Sequence, residues 1–341
     1  MNNTSEKKVD VCVLFYGKAY NTIVTIKSLL HYSGQYIDTI YLIHEKMQPH
    51  NDVSGFFKVL DVFRDYKKVV YKPAYFYGLG GVDYERAKND DAYRWSLPFQ
   101  YALEHTDKKY LLVLHNDVLF HGDVVGSRMA YMNDTGHTYA GIGSLGQCWN
   151  CPLHHGQGCN GYTFQEHKVT AETYYELANR YPDLRRLDIG RRLVENGRVF
   201  PLPECRMNEH AALINTAIYR KECLPEGDSV CFGAVWDGAD LGTVWFYQMV
   251  NKGYAFKQVI LEDHGTHSPF NYTGSGVSSY SDRELYDLTE RDAKAYFEQH
   301  YYPLKFGLSV RLQSAVYAAY YTSRRWAGKA LLRFRKIFGM I

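Results

Sequence analysis

No stretch of the chain carries the roughly 20 consecutive apolar residues of a membrane-spanning helix, so a transmembrane anchor is not expected. The opening residues, 1 to 8, are polar and run straight into strand-like Val9-Asp-Val-Cys-Val-Leu-Phe15, so no cleavable leader with an apolar centre is expected either. A large charge of one sign is also missing. The 39 Lys and Arg stand against 37 Asp and Glu, and the resulting +2 argues against a general nucleic-acid binder. Glycines in the dinucleotide pattern are absent after the first strand. The glycines of Tyr77-Gly-Leu-Gly-Gly81 form a later loop, which disfavours a nicotinamide enzyme. Cysteines number seven, an odd count without a secretion signal, so reduced thiols of a cytoplasmic protein are expected rather than a disulfide framework.

What is present is ordinary globular material. With 341 residues, 46% hydrophobic and 22% charged, the chain can bury a large core as one domain or as one with an appendage. Aromatic side chains reach 16%, including 31 Tyr, enough both to fill the core and to stack on sugars or bases. The central stretch is Tyr110-Leu-Leu-Val-Leu-His115-Asn116-Asp117-Val-Leu-Phe120. Its apolar part reads as a strand buried on both faces of a mostly parallel sheet, whose carboxyl end is where such sheets bind ligands. His115 and Asp117 point to the same face and offer imidazole nitrogen and carboxylate oxygen to a divalent cation. The plainer alternative is an Asn-Asp turn. Ahead of it, Val9 to Phe15 reads as a first strand, and Gly17 breaks it. A helix from Asn21 to His31 follows, so the turn presents backbone N–H groups and a helix N-terminus to a diphosphate. Thr39 to Glu45 is a second strand, the segment around Val69 a third, and Asp91 to His105 a helix despite Pro98; further on, Val169 to Glu195 is helical in pattern and Glu209 to Tyr219 reads as a strand.

These motifs resemble those of GT-A glycosyltransferases. The apolar strand followed by His115-Asn116-Asp117 and Val-Leu-Phe is similar to the Asp-x-Asp region of bacterial family-two-like sugar transferases, with His115 in place of the first acid. A second block runs Val235-Trp236-Asp237-Gly238-Ala239-Asp240-Leu241-Gly242, a helix, Lys252-Gly253-Tyr254, a strand from Ala255 to Leu261, then Glu262-Asp-His264-Gly-Thr-His267. It resembles the family's Glu-Asp-x-Asp-Leu, helix, Gly-Tyr, strand, His, with Gly238 in place of the acid that is most often catalytic. The resemblance implies an α/β fold of GT-A (Rossmann-like) type over residues 1–270, a mostly parallel sheet flanked by helices. It also implies transfer of a sugar, with inversion, from a nucleotide-diphosphate sugar to a hydroxyl of a glycan or lipid-linked glycan, in bacterial surface glycan biosynthesis. Asp237 or Asp240 would be the general base, or an N-cap. Tyr16, Gly17 and Glu45 would meet the nucleoside, and Arg94, Asn116 and Asp117 the diphosphate. Asp117, His115 and His264, or His267 in its place, would hold manganese or magnesium.

Two segments fall outside the resemblance. Cys148-Trp-Asn-Cys151 with Cys159 and Cys205, in an insertion over residues 145–206, has the close thiol spacing of a structural four-thiolate zinc site, with buried free thiols as the alternative. A helical extension over residues 271–341 ends in a tail, from Ser323 on, with six basic residues and no acid, suited to an anionic membrane surface on the cytoplasmic face or to docking on the body. Two other functions fit the same residues. One is a catalytically inactive nucleotide-sugar-binding relative, motivated by His115 and Gly238; the other is a zinc-stabilised nucleic-acid-binding protein, which the near-neutral charge opposes.

Overall fold

The computed structural model describes residues 8–77, 81–132, 136–236, 238–273 and 276–337, with the side chains of 331–337 left out. Asp237 and residues 78–80 of the glycine loop therefore lie outside the described residues.

Seven strands form one sheet: β1 (Val9–Phe15), β2 (Ile37–His44), β3 (Lys68–Tyr71), β4 (Tyr110–Leu114), β6 (Tyr139–Gly143), β7 (Ala211–Asn215) and β8 (Ala255–Gln258). Their order is β3-β2-β1-β4-β7-β6-β8. Only β7 runs against its neighbours, antiparallel to both β4 and β6. A two-stranded ribbon, β5 (Val118–Phe120) with β9 (Gly265–His267), sits beyond the end of β4. The sheet is thus mixed α/β and mainly parallel, as expected.

Side-chain alternation along the strands divides the core. Val9, Val11, Val13 and Phe15 of β1, with Leu112 and Leu114 of β4, pack under α1 (Ala19–Ser33). Cys12, Leu111 and Val113 face the other way, onto Phe99, Ala212, Ile214 and Trp245. Strands buried on both faces need apolar residues at successive positions, which is why these runs were readable.

Four expected elements are shorter or divided. The helix expected over Asp91 to His105 is two, Asp91–Arg94 and Gln100–His105, because Pro98 has no N–H to donate and Phe99 adopts φ 65°. The helical pattern from Val169 to Glu195 breaks at Pro182 into Ala171–Arg180 and Leu187–Glu195. The strand expected from Glu209 to Tyr219 stops at Asn215, whose side chain accepts from the N–H of Ile218 and starts a helix, Thr216–Glu222. β8 ends three residues before the expected Leu261.

The helix Arg283–His300 buries Ala293 and Phe297 in the same cluster as β1 and α1, so this part of the extension belongs to the core of the sheet. The last helix, Leu308–Ile337, docks Tyr317 against Phe57 and His44. No helix among the described residues is long and apolar enough to cross a membrane.

Candidate active site

β2 and β3 lie on one side of β1 and β4 on the other, so the strand order reverses between β1 and β4. Open α/β sheets take ligands in the crevice beyond the carboxyl ends of such a pair. β1 runs into Gly17-Lys18 and β4 into His115-Asn116-Asp117. Gly17 and Lys18 both adopt left-handed backbone, φ 65° and 50°. A Cβ on Gly17 would fall 2.7 Å from both Pro49 Cγ and the Tyr286 hydroxyl, so only glycine fits there. The turn points the Lys18 side chain inward. Its buried Nζ lies 3.7 Å from Asp117 Oδ2, 3.2 Å from the Gly276 carbonyl and 4.5 Å from the Tyr280 ring centre. Asn116 ties the two strand ends together, donating to the Gly17 carbonyl at 3.1 Å and to Thr22 Oγ1 at 3.2 Å.

The N-terminus of α1 does not face an open phosphate site, contrary to expectation. The Gly17 N–H donates to Gln48 Oε1 at 2.5 Å, and the Lys18 N–H to the Tyr286 hydroxyl at 2.7 Å. The Tyr20 and Asn21 N–H groups donate to the Glu290 carboxylate at 2.9 and 3.1 Å. A carboxylate from far along the chain thus takes the position that favours an anion at a helix start.

Around Asp117 the structure gathers imidazoles. His115 Nδ1 lies 3.7 Å from Asp117 Oδ1, His267 Nε2 lies 3.4 Å from the same oxygen, and the two nitrogens are 3.3 Å apart. His210 stacks on His267, centroids 4.0 Å apart and planes 16° apart. His115, His210 and His267 each bring a nitrogen within 4.8 Å of the others. Burial would raise the Asp117 acid, but the His267 hydrogen bond and the charges of His267, His115 and Lys18 hold it far below the usual carboxylate range. His115 is pushed up despite burial by Glu209, whose Oε1 is 3.1 Å from its Nε2. Burial, then His267 and His115, push His210 well down. With Nε2 donating to Glu209, neutral His115 has an acceptor at Nδ1, facing another ring nitrogen and a carboxylate oxygen. Converging acceptors are what a cation joins, so these residues fit one.

His264 is not in this group. Its carbonyl accepts from the N–H groups of His121 and Gly122, and its ring lies against Gly122. The pairing of Val118 with His267 across the ribbon brings the later histidine to Asp117. His210 and Glu209 carried no expectation as site residues. They reach the site because β7 pairs antiparallel with β4 in a register that sets Ala211 opposite Leu114, and so the residues before it beside His115.

From Glu209 a charged chain leads outward. Arg206 bonds Glu209 and the Leu241 carbonyl and lies 3.8 Å from Asp240. Asp240 Oδ2 also accepts from Arg186 Nη1 at 2.5 Å and Gln147 Nε2 at 2.6 Å. Tyr16 is half-buried, stacked on Phe76 and edge-on to Tyr280. Glu45 lines a cavity of about 650 Å³ with His44, Lys46, Lys72, Tyr320 and Arg324, at the ends of β2 and β3. Burial pushes the Glu45 acid up to about 8.

Two expected assignments fail on contacts. Arg94 is spent internally: its buried guanidinium donates to Glu104 at 2.7 and 3.1 Å, Asp91 at 2.6 Å and the Ala87 carbonyl at 2.9 Å. It therefore has nothing left for a diphosphate. Cys148, Cys151, Cys159 and Cys205 do meet around one small cavity, with Leu145, Phe164 and Phe246. All four are free, and their sulfurs do not form a set within metal-sharing distance. Burial in this largely apolar lining raises all four thiols, Cys159 to about 11.

No family model and no curated protein matches the chain. Solved structures are similar at low identity. The mannosyltransferase PcManGT from Pyrobaculum calidifontis, in complex with GDP-Man and Mn2+, is 12% identical over 95% of this chain and 84% of its own, with a TM-score of 0.40. Core-mannan synthase A from Aspergillus fumigatus, in its Mn/GDP form, is 12% identical over 78% and 76%, with a TM-score of 0.41. Glucosyl-3-phosphoglycerate synthase from Mycobacterium tuberculosis, with Mn2+, UDP and phosphoglyceric acid, is 10% identical over 89% and 81%, with a TM-score of 0.40.

Proposed function

We propose that the chain is a GT-A-type glycosyltransferase, moving a sugar from a nucleotide-diphosphate sugar to an acceptor hydroxyl with inversion. The observation that carries this reading is the buried Asp117 carboxylate at the switch point, ringed by imidazoles and Lys18. Motif and place agree, since the residues resembling an Asp-x-Asp region are the ones at the carboxyl edge of β4. Asp117, His115 and His267 would hold a divalent cation, which supplies positive charge against a departing diphosphate. Lys18 adds a second, fixed positive charge on the other side of Asp117. The cavity at the ends of β2 and β3 has the size of a nucleoside site, with the Glu45 carboxyl to pair with base or ribose and tyrosines to stack. Asp240 has its Oδ2 fixed by Arg186 and Gln147, which leaves Oδ1 to take the acceptor's proton. The acceptor oxygen then bonds to the anomeric carbon as the diphosphate leaves from the opposite face. Asp237 is the second candidate for this base.

A cytoplasmic enzyme working at the membrane face, on a lipid-linked glycan, suits the last helix. Leu308, Leu312, Val316 and Trp326 stand on it more than 60% exposed beside basic residues, the pattern of an interfacial helix. Co-sedimentation with anionic vesicles that weakens with salt tests this placement.

The donor reading is tested by thermal shift with nucleoside diphosphates and their sugars, with and without divalent cations. A cognate diphosphate at about 100 times its Kd should stabilise the protein by about 2.7 kcal/mol. No shift with any of them would remove the proposal.

A further inference from the structure

We propose that the cation of this centre is a borderline, nitrogen-seeking metal of the zinc type, held by His115 Nδ1, His267 Nε2, Asp117 Oδ1 and His210. This deepens the reading of the site as a cation-dependent one, and it departs from the manganese or magnesium that the sequence motifs suggest. The first argument is spacing. The three edges of the donor triangle are 3.3 Å (His115 to His267), 3.4 Å (His267 to Asp117) and 3.7 Å (His115 to Asp117). A tetrahedral ion with bonds of about 2.0–2.1 Å sets its ligand atoms roughly 3.3–3.4 Å apart. Adjacent ligands of octahedral magnesium, at about 2.0–2.1 Å, sit roughly 2.9 Å apart. Two edges match the tetrahedral ion, and all three are longer than the edge of octahedral magnesium.

Ligand type is the second argument. Imidazole suits zinc, copper, iron and nickel, whereas magnesium and manganese favour carboxylate, carbonyl and water. Here up to three ligands are imidazoles and one is a carboxylate. On a given site of this kind zinc also binds more tightly than manganese.

A third argument is the support behind the ligands. Glu209 Oε1 sits 3.1 Å from His115 Nε2, which fixes that ring with Nδ1 toward the site. Arg206 in turn holds the other Glu209 oxygen. Ligating histidines are oriented by carboxylates in this way at zinc sites. On Asp117, Ser268 Oγ donates to Oδ2 at 2.8 Å, and Lys18 approaches the same oxygen, so both partners leave Oδ1 facing the imidazoles. His210 is oriented by stacking on His267.

The test uses the full chain, stripped by a chelator and then dialysed against zinc, manganese or magnesium, with bound metal measured by elemental analysis. Zinc should bind at about one equivalent and at least tenfold more tightly than manganese. The cobalt-substituted protein should show visible ligand-field bands without sulfur-to-cobalt charge transfer. Glu209→Gln, which keeps the shape of the pocket, should weaken zinc roughly 10–100-fold, the usual effect of losing such a partner. His210→Ala should weaken it as well, with circular dichroism confirming the fold. Manganese binding as tightly as zinc, sulfur charge transfer, or unchanged zinc affinity in Glu209→Gln would each overturn the proposal. Manganese-dependent nucleotide binding would do so while leaving the transferase reading intact. Zinc bound as expected in a protein that no nucleoside diphosphate stabilises would support this centre and remove the transferase reading.

Discussion

The histidine centre and the thiol cavity are both clusters of side chains that can bind metals, and they are built in opposite ways. Around Asp117 two of the three imidazoles have a charged partner: Glu209, itself held by Arg206, behind His115, and Asp117 beside His267. Around the four cysteines the lining is Leu145, Phe164, Phe246 and backbone, with one acid, Glu204, whose oxygen takes a hydrogen bond from Tyr174. The polar frame keeps carboxylates charged. Asp117 and Glu209 are both held low, whereas burial pushes Glu204 up to about 7. Spacing in the sequence makes a cluster conceivable, but the surroundings set its charge state, and a thiol kept neutral is a packing group.

The sharpest test of the contrast is Asp117→Asn. It should reduce transfer at least about a hundredfold, the scale of losing a key charge-stabilising group, and it should lower metal affinity. Because Lys18 is buried against this carboxylate, stability should fall too, and Asp117→Ala should cost roughly 3–5 kcal/mol by leaving a buried cation unpaired. Normal turnover in a folded Asp117→Asn protein would contradict the site. Next comes Asp240→Asn, expected to lower kcat about a hundredfold or more with donor affinity little changed. A pure loss of donor binding would instead make Asp240 a positioning residue.

On the thiol side, Cys151→Ala and Cys159→Ala should each cost about 1–2 kcal/mol through lost packing while metal content and turnover stay at wild-type levels. Loss of a metal equivalent in either variant would erase the contrast. A further test is a pH slope. Glu204 is raised from 4.5 to about 7, so between those values the folded protein holds a proton that the unfolded chain has released. Stability should be greatest below the window, fall through it and level off above it, and Glu204→Gln should flatten that slope in melting curves. Glu45, raised to about 8, adds a slope of the same sign that extends higher. The depressed Asp117 acts oppositely, with stability lost progressively as pH falls from the usual carboxylate range downward.

The legible parts of the molecule were those fixed by local pattern. β1 occupies the expected Val9–Phe15, and β4 ends at Leu114, just before the expected polar stop at His115, because a strand covered on both faces must be apolar at each position. Asp117 was legible for the same reason, as the polar stop at the end of such a run. His210 was not, since its approach to His115 depends on an antiparallel register between strands about a hundred residues apart. Arg94 misled because its sequence neighbourhood gives no sign that Glu104 and Asp91 already use its donors. Choosing between His264 and His267 needed the ribbon pairing, which the sequence motif leaves open.

The clamp on the first turn has a consequence for how the protein comes into being. Tyr286 and Glu290 hold the N–H groups of Lys18, Tyr20 and Asn21, residues translated some 270 positions earlier. During synthesis β1, α1 and β4 leave the ribosome first and can pair, since domains tend to form from the N-terminal side. The turn beside Asp117 then waits, with its amides open, for a helix not yet made. A nascent chain halted before residue 283 would carry the sheet without a finished crevice beside Asp117.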